Sequence, residues 1–141
     1  MKLGLISTFI LFSGLVNGQQ WHTDLAEATQ EASAANKNIL VFFSVADACD
    51  ACRRLDNIVF KSEEFQQYAN QNLILVKMDF QAPTDAATKA KNLMIVEKYN
   101  KDGFFPWVVV IDKNGKVLGK ADMYDNQSPQ EYLRKIKNIN N

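Results

Sequence analysis

Hydrophobic and polar positions along the chain follow two different periods. Three nearly continuous apolar runs of strand length predict strands buried on both faces: NILVFFSV, LILVKMDF and FPWVVVID. Helical spacing predicts helices over WHTDLAEATQEASAANK, CDACRRLDNIVF, SEEFQQYANQN and TDAATKAKNLMIVEKYN. Asn114-Gly115 predicts a two-residue hairpin turn before a return strand, KVLGKA. The pattern predicts an α/β fold, a central mixed β-sheet with helices on both faces.

Residues that can cap helices sit where the predicted helices begin. Thr23 or Asp24 is expected to cap the first helix, and Ser62 a later one. The last helix is expected to start at Ser128, with Pro129 in its first turn and Glu131 completing a capping box. The residues expected to face the core from three of the helices are Leu25, Ala28, Ala32, Ala35, Leu93, Val96, Tyr99, Leu133 and Ile136.

The first 18 residues have the features of a secretory signal peptide. A short basic start precedes a mostly apolar run, and Val16-Asn17-Gly18 gives compact residues before a cleavage site at Gln19. A membrane anchor is the alternative, but Ser and Gly interrupt the run and it is short for a span. We therefore expect an exported, periplasmic or secreted protein with one domain over residues 19–141.

Charge gives no indication of a nucleic-acid or membrane partner. Lys2 is the only one of the 16 basic residues inside the leader, so the remaining 123 residues carry 15 basic and 16 acidic side chains. A near-neutral balance does not favour binding to nucleic acid or to an anionic membrane surface. No later segment is long and apolar enough to span a membrane.

The two cysteines of the chain, Cys49 and Cys52, follow a predicted buried strand and open a predicted helix. Their spacing puts both on one helix face, close enough for a disulfide. The positive end of the helix stabilises a thiolate at Cys49, which would attack, while Cys52 would be shielded and resolve. A zinc site lacks ligands, since the single histidine, His22, is distant and expected at the surface. A structural staple over so short a loop adds little stability.

Three stretches resemble the thioredoxin fold in their order: NILVFFSVADACDAC, LILVKMDF and GFFPWVVVIDKNGKVLG. The opening WHTDLAEATQEASAANKNILVFFS is similar to exported bacterial thioredoxin-like proteins related to the C-terminal domain of thiol:disulfide interchange proteins. The resemblance implies that Pro106 is the family's cis-proline beside the cysteines. It also implies that Phe105 offers its backbone to a substrate peptide, with Trp107 beside it, although Phe104 and Trp107 also suit a core.

The sequence departs from the family around the cysteines. Ala48 stands where the family usually has Trp, and Phe43 stands where many thioredoxins have a buried Asp. Asp47 and Asp50 flank Cys49 and disfavour its thiolate, whereas Arg53 favours it. We expect the acidic pair to dominate, so that the pKa of Cys49 lies nearer that of a typical thioredoxin than that of a strong oxidant. The pair would then lie closer to roughly −270 mV than to −120 mV.

These observations predict an exported thiol–disulfide oxidoreductase, a reductase or isomerase, acting through Cys49 and Cys52. Its expected partners are protein thiols and disulfides and a separate thiol electron donor, with no cofactor and no metal. The alternative is a non-catalytic binding module of the same fold, in which the disulfide is structural.

Overall fold

The computed structural model describes residues 20–141 of the chain, which form five strands and a set of helices. The elements are β1 Trp21–His22, α1 Leu25–Ala35, β2 Asn38–Ser44, a 3₁₀ turn Ala46–Ala48, α2 Asp50–Arg54, a π-helical segment Leu55–Phe60, α3 Glu63–Asn72, β3 Leu73–Asp79, α4 Ala86–Tyr99, β4 Trp107–Ile111, β5 Val117–Lys120 and α5 Pro129–Asn140. The predicted leader, residues 1–18, lies outside this description.

The strands form one mixed sheet in the order β1-β3-β2-β4-β5. β3 is parallel to both β1 and β2, whereas β4 runs antiparallel to β2 and to β5. Phe42 of β2 is aligned with Lys77 of β3 and with Val108 of β4. This register places the end of β2, from which the cysteines follow, beside the start of β4.

Two cores lie on opposite faces of the sheet, because successive side chains of a strand point to opposite faces. Leu40 and Phe42 of β2 pack with α3, α5, the π-helical segment and Cys52. Val41 and Phe43 pack on the other face with residues of α1 and α4. The predicted fold class, a central mixed sheet with helices on both faces, is confirmed.

The helix starts follow the predicted capping residues. Asp24 caps α1, accepting hydrogen bonds from the N–H groups of Ala26 and Glu27 at 2.8 and 3.2 Å. Ser62 caps α3, where its Oγ accepts a bond from the N–H of Phe65. At α5 the capping box forms in both directions between Ser128 and Glu131.

The structure of Trp21 and His22 corrects two expectations. Trp21 and His22 form a short strand paired with β3 rather than the first turn of a helix, because α1 begins only after its cap at Asp24. His22 is consequently not a surface residue. Its side chain is only 10% exposed, and its Nε2 lies 2.5 Å from a carboxylate oxygen of Glu31 in α1.

Two predicted core residues are exposed. Ala35 ends α1, where the chain turns away through the left-handed Asn36. Leu93 is 53% exposed, because α4 turns Ile95, Val96 and Tyr99 towards the sheet instead.

The predicted hairpin forms with a longer turn. The N–H of Gly115 donates to the carbonyl of Asp112, and the N–H of Asp112 donates to the carbonyl of Lys116. Three residues rather than two therefore separate Asp112 from Lys116, the pair that closes the turn. Among these three, only Gly115 has a positive φ, +82°, whereas a two-residue type I′ turn needs a positive φ at both central residues. The Asp112 carboxylate favours this turn by accepting bonds from the N–H groups of Asn114 and Lys116.

Candidate active site

Cys49 and Cys52 form a disulfide at the start of α2. Cys49 is the N-cap, in extended conformation, so it precedes the first helical turn rather than lying in it. Its Sγ accepts a hydrogen bond from the N–H of Cys52 at 3.1 Å. The N–H of Cys52, in the first helical turn, has no partner within the helix, and the Cys49 sulfur is its acceptor.

The two sulfurs differ in exposure. Cys52 is 1% exposed and belongs to the core cluster that contains Leu55 and Phe42. Cys49 is partly exposed and packs only against the edge of that cluster. A reagent or protein reaching the pair from solvent therefore meets Cys49 first.

The charged residues around Cys49 pair with one another. The Arg53 guanidinium forms an ion pair with the Asp50 carboxylate one turn earlier and also donates to the carbonyl of Ala46 at 3.4 Å. Arg53 is therefore engaged by Asp50 and by the turn before the cysteines. The Asp47 carboxylate lies outside the described side chains, so its expected influence on Cys49 stays a prediction.

The peptide bond between Phe105 and Pro106 is cis, as the resemblance implied. Phe105 packs against both core clusters, including the one that Cys49 borders, and its ring lies 5.8 Å from that of Phe80. Trp107, the next strand residue, packs against the core on the α4 side of the sheet. Phe105 therefore contacts the cysteine side as well as the α4 side of the sheet, while the Trp107 ring belongs to the α4 side.

An ion pair on the Cys52 side of the sheet was not anticipated. Lys77 Nζ of β3 lies 2.9 Å from Asp56 Oδ2 in the π-helical segment, and both side chains are mostly buried. Two signals could have found it: Asp56 falls one turn after Cys52, and Lys77 is the single charge within LILVKM. From the sequence, Phe43 was expected at the position where many thioredoxins have a buried Asp. In the structure, Phe42 is the β2 residue that lies on the Cys52 side of the sheet, whereas Phe43 points into the opposite core.

Within residues 20–141, no cluster of three or more His, Cys, Asp or Glu side chains is arranged to hold a metal ion. Among the same residues, none of the helices has the length and hydrophobicity needed to cross a membrane.

The family is decided by a match over most of the chain. A model of the thioredoxin-like domain matches residues 25–138. The chain belongs to the thioredoxin-like family. Disulfide bond reductase DsbH of Chlamydia pneumoniae is 29% identical to it over 120 residues, which cover 84% of this chain and 70% of that relative.

Solved structures agree with this family. A structure titled DsbH oxidoreductase has a TM-score of 0.78 at 28% identity and covers 87% of this chain and 85% of its own. A thioredoxin from Thermus thermophilus has a TM-score of 0.67 at 15% identity, covering 87% and 88%, and shows the shared fold alone. Together with a Cys-x-x-Cys pair at disulfide distance, these relationships support thiol–disulfide oxidoreductase activity in this member of the family.

Proposed function

We propose that this protein is an exported reductase or isomerase of protein disulfides, with Cys49 as the attacking thiol and Cys52 as the resolving thiol. The observation that carries the proposal is the asymmetry of the pair. Cys49 is partly exposed at a helix N-cap and Cys52 is 1% exposed behind it. Disulfide exchange requires an accessible first thiolate and a second thiol that reaches the first.

In the first step, the Cys49 thiolate attacks one sulfur of a substrate disulfide. A bond forms between Cys49 and that sulfur, the substrate S–S bond breaks, and the other substrate sulfur leaves as a thiolate that takes up a proton. The N–H of Cys52, which points at the Cys49 sulfur in the disulfide form, would stabilise the attacking charge.

In the second step, Cys52 loses its proton and attacks Cys49. The mixed disulfide breaks, the second substrate thiolate is released and protonated, and the Cys49–Cys52 disulfide forms. Two electrons and two protons have then passed to the substrate. A separate dithiol must return them, because a reductase cannot turn over from its oxidised form.

The substrate segment would lie along the chain that enters β4. The Phe105 backbone would offer hydrogen bonds to an extended peptide, with Pro106 and Trp107 beside it. Support comes from the packing of Phe105 against the cluster that Cys49 borders. We place Trp107 at the flank of this groove rather than at its floor, because its ring packs on the α4 side of the sheet.

The reducing direction is supported by charge and by relationship. Asp50 is adjacent to Cys49 in the chain, so its carboxylate opposes a second negative charge there, and its ion pair with Arg53 offsets part of that effect. The related protein from Chlamydia pneumoniae is named a disulfide bond reductase. Export is supported by the leader-like residues 1–18 and would place the pair among disulfide-containing proteins.

A trapping experiment tests the assignment. A Cys52→Ser variant, expressed in cells with its leader, is expected to accumulate mixed disulfides with proteins that appear on non-reducing gels and disappear after reduction. Cys49→Ser is the matched control and should form none. If both variants trap equally, the assignment of the attacking and resolving thiols is wrong.

The reduction potential separates this function from a binding module with a structural disulfide. Equilibration of the purified protein with glutathione or dithiothreitol buffers is expected to give a value above about −300 mV, the limit below which structural disulfides lie. A value below that limit, with no trapped partners, would favour the binding module.

A further inference from the structure

A cavity of about 220 Å³ lies on the α4 side of the sheet, between the end of α4 and strands β4 and β5. Tyr99, Trp107 and Lys120 are among the residues that line it. Trp107 follows Pro106 directly, so the cavity adjoins the chain segment proposed above to receive a substrate peptide. We call it the α4–β5 cavity.

The walls of the α4–β5 cavity are held by hydrogen bonds. The Tyr99 hydroxyl donates to the carbonyl of Gly115 in the hairpin at 2.9 Å. The buried Asn100 side chain donates to the carbonyl of Phe104 at 2.8 Å and accepts from its N–H at 3.0 Å. These bonds tie the loop after α4 to the residues that enter β4, so the cavity is part of the folded framework.

Positive charge dominates the lining. Lys98, Lys101 and Lys120 contribute three ammonium groups and Asp102 one carboxylate. Among the side chains described in residues 20–141, none of the three lysines forms an ion pair. Lys98 Nζ instead lies 5.0 Å from the centre of the Tyr99 ring and Lys120 Nζ 5.6 Å from that of Trp107.

The Trp107 indole forms part of the same wall. The Nε1 of Trp107 is buried and has no partner within the described part of the chain. Because this atom is enclosed by protein, the indole meets the cavity through other atoms of its ring, and its N–H resonance reports changes at this wall. Apolar surface lies close by, because Val117 in the lining is 40% exposed and Phe104, whose ring is 5.5 Å from that of Trp107, is 47% exposed.

We propose that the α4–β5 cavity binds a carboxylate side chain of the protein substrate, within a segment that is both acidic and apolar. The three lysines of the lining complement the negative charge, the Trp107 ring forms part of the wall, and Phe104 and Val117 receive the apolar neighbours. The proposal rests on the proposed function, because the cavity would act as a secondary subsite beside the Phe105–Pro106 groove. It makes acidic sequence near the target disulfide a determinant of which substrates are used.

The binding test uses the oxidised protein and needs no redox chemistry. Two acetylated, amidated, cysteine-free pentapeptides are compared: glycine, two glutamates, leucine and glycine, and the same peptide with two glutamines. Indole N–H resonances are followed by NMR, and Trp21 provides an internal reference, since the chain has two tryptophans. The glutamate peptide is expected to shift the Trp107 resonance in a saturable way while Trp21 is unaffected. Equal shifts with both peptides, or none with either, would overturn the proposal.

Matched variants assign the effect to the lysines. Lys98→Gln and Lys120→Gln are each expected to weaken binding of the glutamate peptide about two- to fivefold, the range of exposed charge pairs. Lys137→Gln is the control, because Lys137 also places its ammonium over an aromatic ring, that of Tyr68, at 5.2 Å, but does so on α5. Loss of affinity in the control equal to that in the cavity variants would contradict a local site.

Two further arms separate the possible outcomes. Glutarate at the same carboxylate concentration should shift the Trp107 resonance much less than the peptide. An equal shift would show a site for small anions and overturn the assignment to a protein segment.

The second arm measures the rates at which the protein reduces two cysteine-bridged peptides, one with glutamates and one with glutamines beside the disulfide. The acidic peptide is expected to react faster, and Lys120→Gln is expected to reduce this preference. Failure to reduce either peptide would contradict the proposed function, whereas equal rates would contradict only the cavity.

Discussion

The backbone N–H of Cys52 donates a hydrogen bond to the Sγ of Cys49 across the first turn of α2. A hydrogen bond to the charged form of a group favours that form. In the reduced protein the same N–H would face the Cys49 sulfur, while Cys52 remains enclosed by the core at 1% exposure. The backbone thus distinguishes two residues that are chemically identical.

Alkylation measures this difference. When the protein is reduced and treated briefly with iodoacetamide at neutral pH, Cys49 is expected to be modified on the order of tenfold faster than Cys52, because it is both the better stabilised thiolate and the more accessible one. Peptide mass spectrometry at short times gives the two rates. Faster modification of Cys52 would require the proposed roles to be exchanged.

The ion pair between Asp50 and Arg53 predicts opposite effects of two neutral substitutions. Asp50→Asn removes a negative charge next to Cys49, and it also leaves the positive charge of Arg53 without its carboxylate partner Asp50. Both changes stabilise the Cys49 thiolate. The reduced form gains stability, and the disulfide is expected to become more oxidising by on the order of 10–30 mV. Arg53→Gln leaves the Asp50 charge unopposed and is expected to shift the potential the other way.

Equilibration with glutathione buffers gives both potentials. Lys61→Gln is the control, and its reduction potential should stay close to that of the unaltered protein. This substitution removes the ammonium group that donates a hydrogen bond to Asn57 of the π-helical segment. Potentials for Asp50→Asn and Arg53→Gln that move in the same direction would reject the electrostatic account.

The parts of the fold that were predictable follow from local signals. Apolar runs marked β2, β3 and β4 because these central strands are buried on both faces, and side-chain caps marked helix starts at Asp24, Ser62 and Ser128. The strand at Trp21–His22 was missed because its two residues pair with β3, some fifty positions later. Such pairing leaves no period in the sequence.

The candidate site divides in the same way. The cysteine spacing and the Phe105–Pro106 motif were visible in the sequence, since each is contiguous. The pairing of Asp56 with Lys77 and the lysines of the α4–β5 cavity depend on residues brought together by folding. The orientation of Leu93 was misjudged because α4 has apolar residues around most of its surface, and packing alone decides which of them face the sheet.

Asp24 links helix capping to the pH dependence of stability. The Lys91 ammonium, hydrogen-bonded at 3.0 Å, and then the N–H of Glu27 hold the pKa of Asp24 below 3.8, its ordinary value. A lowered folded-state pKa stabilises the fold above pH 3.8, and this contribution is lost as the pH falls through the lower value. Asp24→Asn keeps an acceptor but loses the charge, so at pH 7 it is expected to cost only about 0.5 kcal/mol, since the pair is roughly half exposed.

Urea unfolding at several pH values checks this prediction. The difference between the unaltered protein and Asp24→Asn should be largest above pH 5 and shrink below pH 3.8. Asp24→Ala, which also removes the cap, is expected to cost about 1 kcal/mol or more at pH 7. Lys91→Gln should reproduce part of the Asp24→Asn effect; a difference that is constant with pH would exclude the charge as its origin.

Gly119 allows close packing of β5 against α5. A Cβ at this position would lie 2.8 Å from Cγ2 and 3.1 Å from Cγ1 of Ile139. Both carbons branch from a stiff Cβ on a helix, so relief requires α5 to move. An alanine in a strand regains up to about 1 kcal/mol of chain entropy relative to glycine. Overpacking costs about 1–3 kcal/mol and is expected to dominate, so Gly119→Ala should lower the free energy of unfolding by about 1–2 kcal/mol.

A double-mutant cycle attributes that loss to Ile139. Ile139→Ala opens the space that the new methyl group needs, so the double variant is expected to be about 1 kcal/mol more stable than the sum of the single effects. Gly103→Ala is the control: Gly103 has a φ of +70°, but a Cβ added there would meet nothing within 4 Å, so its cost is conformational and should add to that of Ile139→Ala. Additive effects of Gly119→Ala and Ile139→Ala, within about 0.3–0.5 kcal/mol, would show that the contact does not limit packing at this edge of the sheet.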